Sequence, residues 1–206
     1  MILYCVRHGE TVFNSGGRIQ GQLDTPLSEL GQRQCLAITA AFRNQPIEAV
    51  YSSPLERALY SARRVAAALG LDVRTDPRLM EIHAGIFQGL TWDEIAVKHP
   101  EEARRWKSQD PDFRIPGGET RRELMQRARE AFLDIHRTEM QQAIVVSHGG
   151  LLSAAFKSLL EIPAERNPFS LLNGSISRLG WSSDVKLLSL NQTDHLVDAQ
   201  GSGGDL

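Results

Sequence analysis

The sequence predicts an α/β fold: a three-layer sandwich with a mostly parallel central sheet flanked by helices, plus a small capping insertion. Two observations carry this prediction. Short apolar runs alternate along the chain with longer segments of helical periodicity, the pattern of strand–helix–strand units. Three of the short runs end in clusters of Arg, His, Ser and Gly, and in parallel sheets ligands gather where strands finish at their carboxyl ends. The chain has 206 residues, enough for one core burying roughly 70% of the unfolded surface. The expected organisation is a single domain over residues 1–198, with a capping insertion near 82–118 and a flexible tail over 199–206.

Ile2 to Val6 reads as a buried strand that stops at Arg7-His8-Gly9-Glu10. Ser28 is a helix N-cap, and Leu30, Ile38, Ala41 and Phe42 form the buried face of the helix after it, with Pro46 beyond its end. Ala49 to Ser52 is a second strand. It runs into Ser53-Pro54-Leu55-Glu56, which reads as an N-cap serine, a first-turn proline and a capping-box glutamate. That helix is expected to reach Leu69 and stop at Gly70. Val73 centres another short strand before Asp76-Pro77.

Ile82 to Gly118 is irregular, with a short helix opening at Thr91-x-x-Glu94, and is read as the insertion capping the sheet. Glu119 to Arg137 is a long amphipathic helix with a Thr120-x-x-Glu123 capping box. Ala143 to Ser147 is a third buried strand, ending at His148-Gly149-Gly150, and Leu151 to Leu160 a helix. Ser175 to Leu190 reads as a hairpin turning at Ser-Ser-Asp.

Apolar residues make up 41% and charged residues 23% of the chain, and the formal net charge is −2. Nucleic-acid binding normally requires a basic excess, so no nucleic-acid partner is expected. The first residues show neither a charged leader nor a long apolar run, so no signal peptide and no membrane partner is expected. Cys5 and Cys35 are isolated in apolar stretches and read as buried free thiols, which suits a cytoplasmic protein.

The three strand-end clusters together suit a phosphoryl group. Arg7 and Arg57 offer planar guanidinium forks for phosphate oxygens. Helices starting near Pro54 and Leu151 would aim unpaired N–H groups and positive dipole ends at the same place, and Gly9, Gly149 and Gly150 permit close backbone approach. The sequence has no Cys-x5-Arg motif, no Walker loop and no Asp-x-Asp pair after a strand. The remaining acceptor is a neutral imidazole, His8, attacking phosphorus, its pKa lowered by the cations beside it. Glu81, ahead of a glycine-punctuated loop, is placed to protonate the leaving oxygen. Gln20 and Gly21 border the phosphate or substrate, or form a plain turn; His83 is a candidate for the pocket wall. No histidine spacing marks a metal site. Arg104, Arg105 and Arg114 either meet a second anion or form a solvated face, and Trp92, Trp106 and Phe113 read as packing for the insertion.

These residues resemble the histidine phosphatase superfamily, the group containing phosphoglycerate mutases and many small-molecule phosphatases. The resemblance spans nearly the whole chain in ordered blocks: Arg7-His8-Gly9-Glu10-Thr11 with Asn14, Asp24-Thr25-Pro26-Leu27-Ser28 with Gly31, and Ser52-Ser53-Pro54-Leu55 with Arg57-Ala58. Then follow Leu79-x-Glu81 with Gly85 and Gly89-Leu90-Thr91, Pro116-Gly117-Gly118-Glu119, and Ser147-His148-Gly149. It implies that His8 is phosphorylated, that Arg7, Arg57 and His148 hold the phosphate with Asn14 assisting, and that Glu81 is proton donor and later base. It also implies no metal and no cofactor, a small phosphorylated metabolite as partner, and a frequent homodimer. Candidate substrates on this basis are sugar phosphates, phosphoserine, glucosyl-phosphoglycerate and ribazole phosphate. A phosphatase is favoured over a mutase because mutases of the family are typically longer. A non-catalytic phosphate-binding module is the third reading.

Overall fold

The computed structural model describes residues 1–197 and 199. In chain order its elements are β1 (Ile2–Arg7), α1 (Val12–Ser15), α2 (Glu29–Phe42), β2 (Ala49–Ser52), α3 (Glu56–Leu69) and β3 (Val73–Thr75). After two 3-10 turns come α4 (Trp92–Lys98), α5 (Pro100–Lys107), α6 (Arg121–His136), β4 (Gln142–Ser147), α7 (Gly149–Leu159), β5 (Ile176–Trp181) and β6 (Val185–Gln192). The six strands form one sheet in the order β3-β2-β4-β1-β5-β6. The first four are parallel to one another, while β5 and β6 make an antiparallel hairpin beside β1. The α/β class and the mostly parallel sheet therefore hold.

Alternation along the strands divides the core into two layers. Leu3 and Cys5 of β1 and Ala143 and Val145 of β4 face α6 and α7, packing with Ala128, Phe132, Leu151 and Phe156. Val6, Ile144, Val146 and Val50 face the opposite side, against Ile38 and Phe42 of α2 and Ala58, Ala62 and Val65 of α3. Strands buried on both faces must be apolar throughout, which is why these runs read as continuous rather than alternating. The insertion joins the first layer through Phe87, Ile95, Phe113 and Ile115.

Local signals fixed most boundaries. Ser28 caps α2 by accepting the Gly31 N–H at 3.0 Å. Thr91 with Glu94 and Thr120 with Glu123 form reciprocal capping boxes at α4 and α6, so α6 begins at Arg121 rather than Glu119. Gly70 ends α3 in the left-handed region at φ 68°. One cap differs from its prediction. Ser53 does not cap α3, which starts only at Glu56 after Leu55, because the Ser53 hydroxyl is engaged by the Leu55 N–H (3.2 Å) and by His148 (2.8 Å). Of the predicted tail, Ala199 is buried, and its carbonyl accepts from Gln34 Nε2 at 3.2 Å; residues 200–206 lie outside the described residues.

Candidate active site

β1, β2 and β4 end side by side: Arg7 is in register with Ser147, and Ser52 with Val146. The chain leaving β1 stays on this edge, since the His8 N–H donates to the Ser147 carbonyl at 3.0 Å. It then passes hard against the start of α2. A Cβ on Gly9 would stand 2.5 Å from the Gly31 carbonyl oxygen, and one on Gly31 would overlap the Glu10 carbonyl. Two glycines thus allow backbone to lie on backbone, which explains both positions in the sequence blocks.

The His8 side chain is only 2% exposed. Its Nδ1 lies 2.7 Å from the Gly9 carbonyl oxygen. A carbonyl only accepts, so Nδ1 carries the proton and neutral His8 keeps its lone pair on Nε2. Burial first, then the charges of Arg57 and Arg7, hold the His8 pKa well below the ordinary histidine value. His148 is fully buried against it, with ring centroids 5.1 Å apart. Its pKa is likewise pushed well down by burial and then by Arg57. His148 Nε2 bonds to Ser53 Oγ, while Nδ1 has no partner among the described residues. The Ser53 hydroxyl, which accepts from the Leu55 N–H, can donate to Nε2, and the ring proton then sits on Nδ1.

The two arginines are fixed by backbone. Arg57, 1% exposed, donates to the carbonyls of Gly21 and Leu23, each at 2.7 Å. Burial lowers its pKa to about 10, leaving it a cation at neutral pH. Arg7 donates to the Leu171 carbonyl. Asn14 Oδ1 accepts from Thr11 and from Asn173 Nδ2, which leaves its Nδ2 donor as the group for a ligand. Gln20 Oε1 is likewise taken by Thr11 and Thr25. The helix N-termini differ from expectation. At α3 the Glu56 N–H is spent on Asp24 Oδ1 at 3.0 Å, whereas Gly149 opens α7 with an N–H that no intrahelical carbonyl can reach.

Glu81 is 5% exposed. Its Oε1 accepts the Ile82 N–H at 2.8 Å and its Oε2 the Gly150 N–H at 3.0 Å, so each oxygen retains capacity for a proton. The loop carrying it is clamped by Arg127, which donates to the carbonyls of Arg78, Met80 and Glu81 and pairs with Glu119 at 2.6 Å. His83 serves the same clamp. Its N–H donates to Glu119 Oε1 and its Nδ1 accepts from Gly85, and it is not among the residues lining the two cavities described next.

Arg7, His8, Asn14, Gln20, Gly21, Arg57 and Glu81 are among the residues that line one small cavity of about 50 Å³. A water needs roughly 10–15 Å³ on this scale, so the space suits a compact polyatomic anion. A second cavity of about 480 Å³ opens beside it and shares Arg7, Glu81 and Trp92. Trp92 and Trp106 pack on Phe87, as expected of the insertion, and also face this larger space. Arg104, Arg105 and Arg114 pair on the surface with Glu101, Asp110 and Glu123. Among the described residues no three His, Cys, Asp or Glu side chains cluster as metal ligands, and no helix is long and apolar enough to cross a membrane. Ser53, Asn173 and Arg127 are site residues that the sequence reading missed. Only the block membership of Ser53 hinted at any of them.

Fold and site define the class: an α/β protein with a pocket lined by His8, Arg7, Arg57 and Glu81 at the carboxyl edge of its sheet. The chain belongs to the histidine phosphatase superfamily, whose branch 1 model matches residues 3–193. One relative is the Yersinia pestis (strain Pestoides F) protein named "Probable phosphoglycerate mutase GpmB". It is 38% identical over 190 residues, covering 91% of this chain and 88% of the relative. A mycobacterial glucosyl-3-phosphoglycerate phosphatase solved with VO3 superposes with a TM-score of 0.85 at 35% identity, over 93% of this chain and 99% of that one. A phosphoserine phosphatase mutant from Entamoeba histolytica, solved with phosphoserine, gives 0.86 at 26% identity, over 95% and 99%.

Proposed function

We propose that this chain is a metal-independent phosphatase that hydrolyses small-molecule phosphomonoesters through a phosphohistidine at His8. The observation that carries the reading is the His8 imidazole, pinned at Nδ1 by the Gly9 carbonyl and therefore nucleophilic at Nε2, in a cavity shared with two arginines and Glu81. Nε2 forms a bond to phosphorus as the ester P–O bond breaks, and the departing oxygen takes its proton from Glu81. Water then attacks the phosphohistidine and gives a proton to Glu81, and the N–P bond breaks to release phosphate and neutral His8. Arg7, Arg57, Asn14, His148 and the Gly149 N–H hold the phosphoryl oxygens throughout, supplying the positive charge that a metal supplies elsewhere. A cytoplasmic location belongs to the same reading and is supported by the two buried free thiols, Cys5 and Cys35.

Phosphate release from a panel of phosphorylated metabolites, with wild type and His8→Ala side by side, tests the proposal. Release that falls by about 10⁴-fold or more in the variant is expected for loss of a covalent nucleophile. Appreciable residual turnover would remove His8 from that role. The GpmB-named relative favours a second reading, phosphoryl return to a bound acceptor. Release from p-nitrophenyl phosphate without added bisphosphoglycerate separates hydrolysis from that mutase chemistry.

A further inference from the structure

The large cavity has a wall of two kinds. Trp92, Trp106, Leu124 and Met125 give it an apolar surface, and Arg121 of α6 and Lys157 of α7 bring charge into it. Both cations are buried, at 8% and 4% exposure. Burying a charge is costly unless an opposite charge compensates it. Here the direct hydrogen-bond partners are dipoles, and the carboxylates of Asp110 and Glu165 act on the two cations only without contact. Arg121 donates to the carbonyls of Trp106 (2.9 Å) and Asp110 (3.4 Å) and lies 3.3 Å from the centroid of the Trp106 ring. Lys157 donates to the Ala164 carbonyl at 3.1 Å. Neither takes part in an ion pair among the described residues. The two also feel each other: burial, then the charge of Arg121, lowers the Lys157 pKa, and the charge of Glu165 offsets this only in part, as the charge of Asp110 only partly offsets the burial of Arg121.

This cavity is continuous in its lining with the phosphate pocket through Arg7, Glu81 and Trp92. Its volume of about 480 Å³ falls within the roughly 300–1,000 Å³ typical of small-molecule sites. A lone phosphoryl group leaves it unfilled, and two buried cations with no carboxylate in contact among the described residues do not suit a neutral substrate body.

We propose that the cavity is a subsite for a second anionic group of the substrate, received by Lys157 and Arg121, with the Trp92–Trp106 wall holding an apolar or aromatic scaffold. The substrate class is then a phosphomonoester that carries another acidic group at the far end of such a scaffold. The inference rests on reading the His8 pocket as the phosphoryl site.

Calorimetric binding of non-hydrolysable phosphonates tests it: phenylphosphonate, 4-carboxyphenylphosphonate and 1,4-phenylenebisphosphonate, each with wild type, Lys157→Met and Lys157→Arg. A charge-assisted contact predicts that at least one of the two acidic ligands binds wild type about 10- to 100-fold more tightly than phenylphosphonate. Which of them does so identifies the anion as carboxylate or phosphoryl. The ratio should collapse toward one in Lys157→Met and be largely kept in Lys157→Arg, a contrast that a purely structural lysine would not produce. Equal affinities for all three ligands in wild type would overturn the subsite. His8-dependent phosphate release from phenyl phosphate, measured in parallel, reports separately on the catalytic reading, so either can fail while the other stands.

Discussion

Gly150→Ala moves Glu81 without changing it. A Cβ at this position would stand 2.5 Å from Glu81 Oε1 and 3.1 Å from Cδ, whereas comfortable contacts begin near 3.5 Å. The carboxylate must therefore retreat by about 1 Å, weakening the 3.0 Å bond it accepts from the Gly150 N–H. The fold should tolerate the change. Gly150 is not among the residues with positive φ, it lies in the first turn of α7, and alanine is the better helix former by up to about 1 kcal/mol. A misplacement of about 1 Å in a reacting group costs on the order of 10²-fold. The loss should fall on substrates whose leaving oxygen needs a proton. We expect kcat/KM to drop about 100-fold for an alkyl phosphate and less than about 10-fold for p-nitrophenyl phosphate, whose phenolate leaves unaided. The assay is steady-state phosphate release from both esters, with a thermal melt as the control. Equal losses on the two esters, or none on the alkyl ester, would refute the assignment of Glu81 as proton donor.

Gly31→Ala attacks the fold instead, since its Cβ would collide with the Glu10 carbonyl, backbone against backbone. It should destabilise the protein by about 1–3 kcal/mol in urea titration, and an unchanged midpoint would contradict the tight seating of the His8 loop on α2. Ser53→Ala strips His148 Nε2 of its partner. It should cost about 1–3 kcal/mol of stability and weaken inhibition by inorganic phosphate, and unaltered phosphate affinity would argue against His148 as a ligand. His8 and His148 are held below the ordinary pKa mainly by burial. The unfolded chain, with histidines near 6.5, therefore binds protons that the folded one refuses. Stability should be insensitive to these groups above about pH 7.5 and fall below 6.5 by up to about 1.4 kcal/mol per pH unit for each histidine. Urea melts at several pH values should show this slope and its reduction in His8→Ala; a slope identical in the variant would count against a neutral buried His8. EDTA should leave the turnover rate unchanged, and a loss restored by one divalent metal would end the metal-independent reading.

The sheet was legible because its strands are apolar on both faces and stop abruptly at polar clusters, so the sequence alone places Arg7, His8, Arg57 and His148 at one edge. Glu81 was legible from its place ahead of a glycine loop. Partners distant in sequence were not. Asn173 reaches His8 and Asn14 across more than 150 residues, and Arg127 grips the Glu81 loop from the middle of an amphipathic helix whose periodicity marks it only as a polar-face residue. Lys157 and Arg121 were hidden for the same reason. A cation at a helical position gives no sign of facing inward until the neighbouring helix is in place. The error at Ser53 was of another kind: the local cap rule was sound, but a tertiary hydrogen bond to His148 outcompeted it.

In the strand order β3-β2-β4-β1-β5-β6, the strands that deliver His8 and His148 are the two innermost, whereas the tryptophans lining the large cavity come from α4 and α5. Local opening draws on the least cross-linked parts of a protein first, and central strands exchange their amide hydrogens only when the whole molecule opens. The amides of Cys5, Val6, Val145 and Val146 should therefore be the slowest to exchange, and those of α4 and α5 among the faster. On the proposed reading, mild denaturation would cost the molecule its discrimination between substrates before the chemistry at His8.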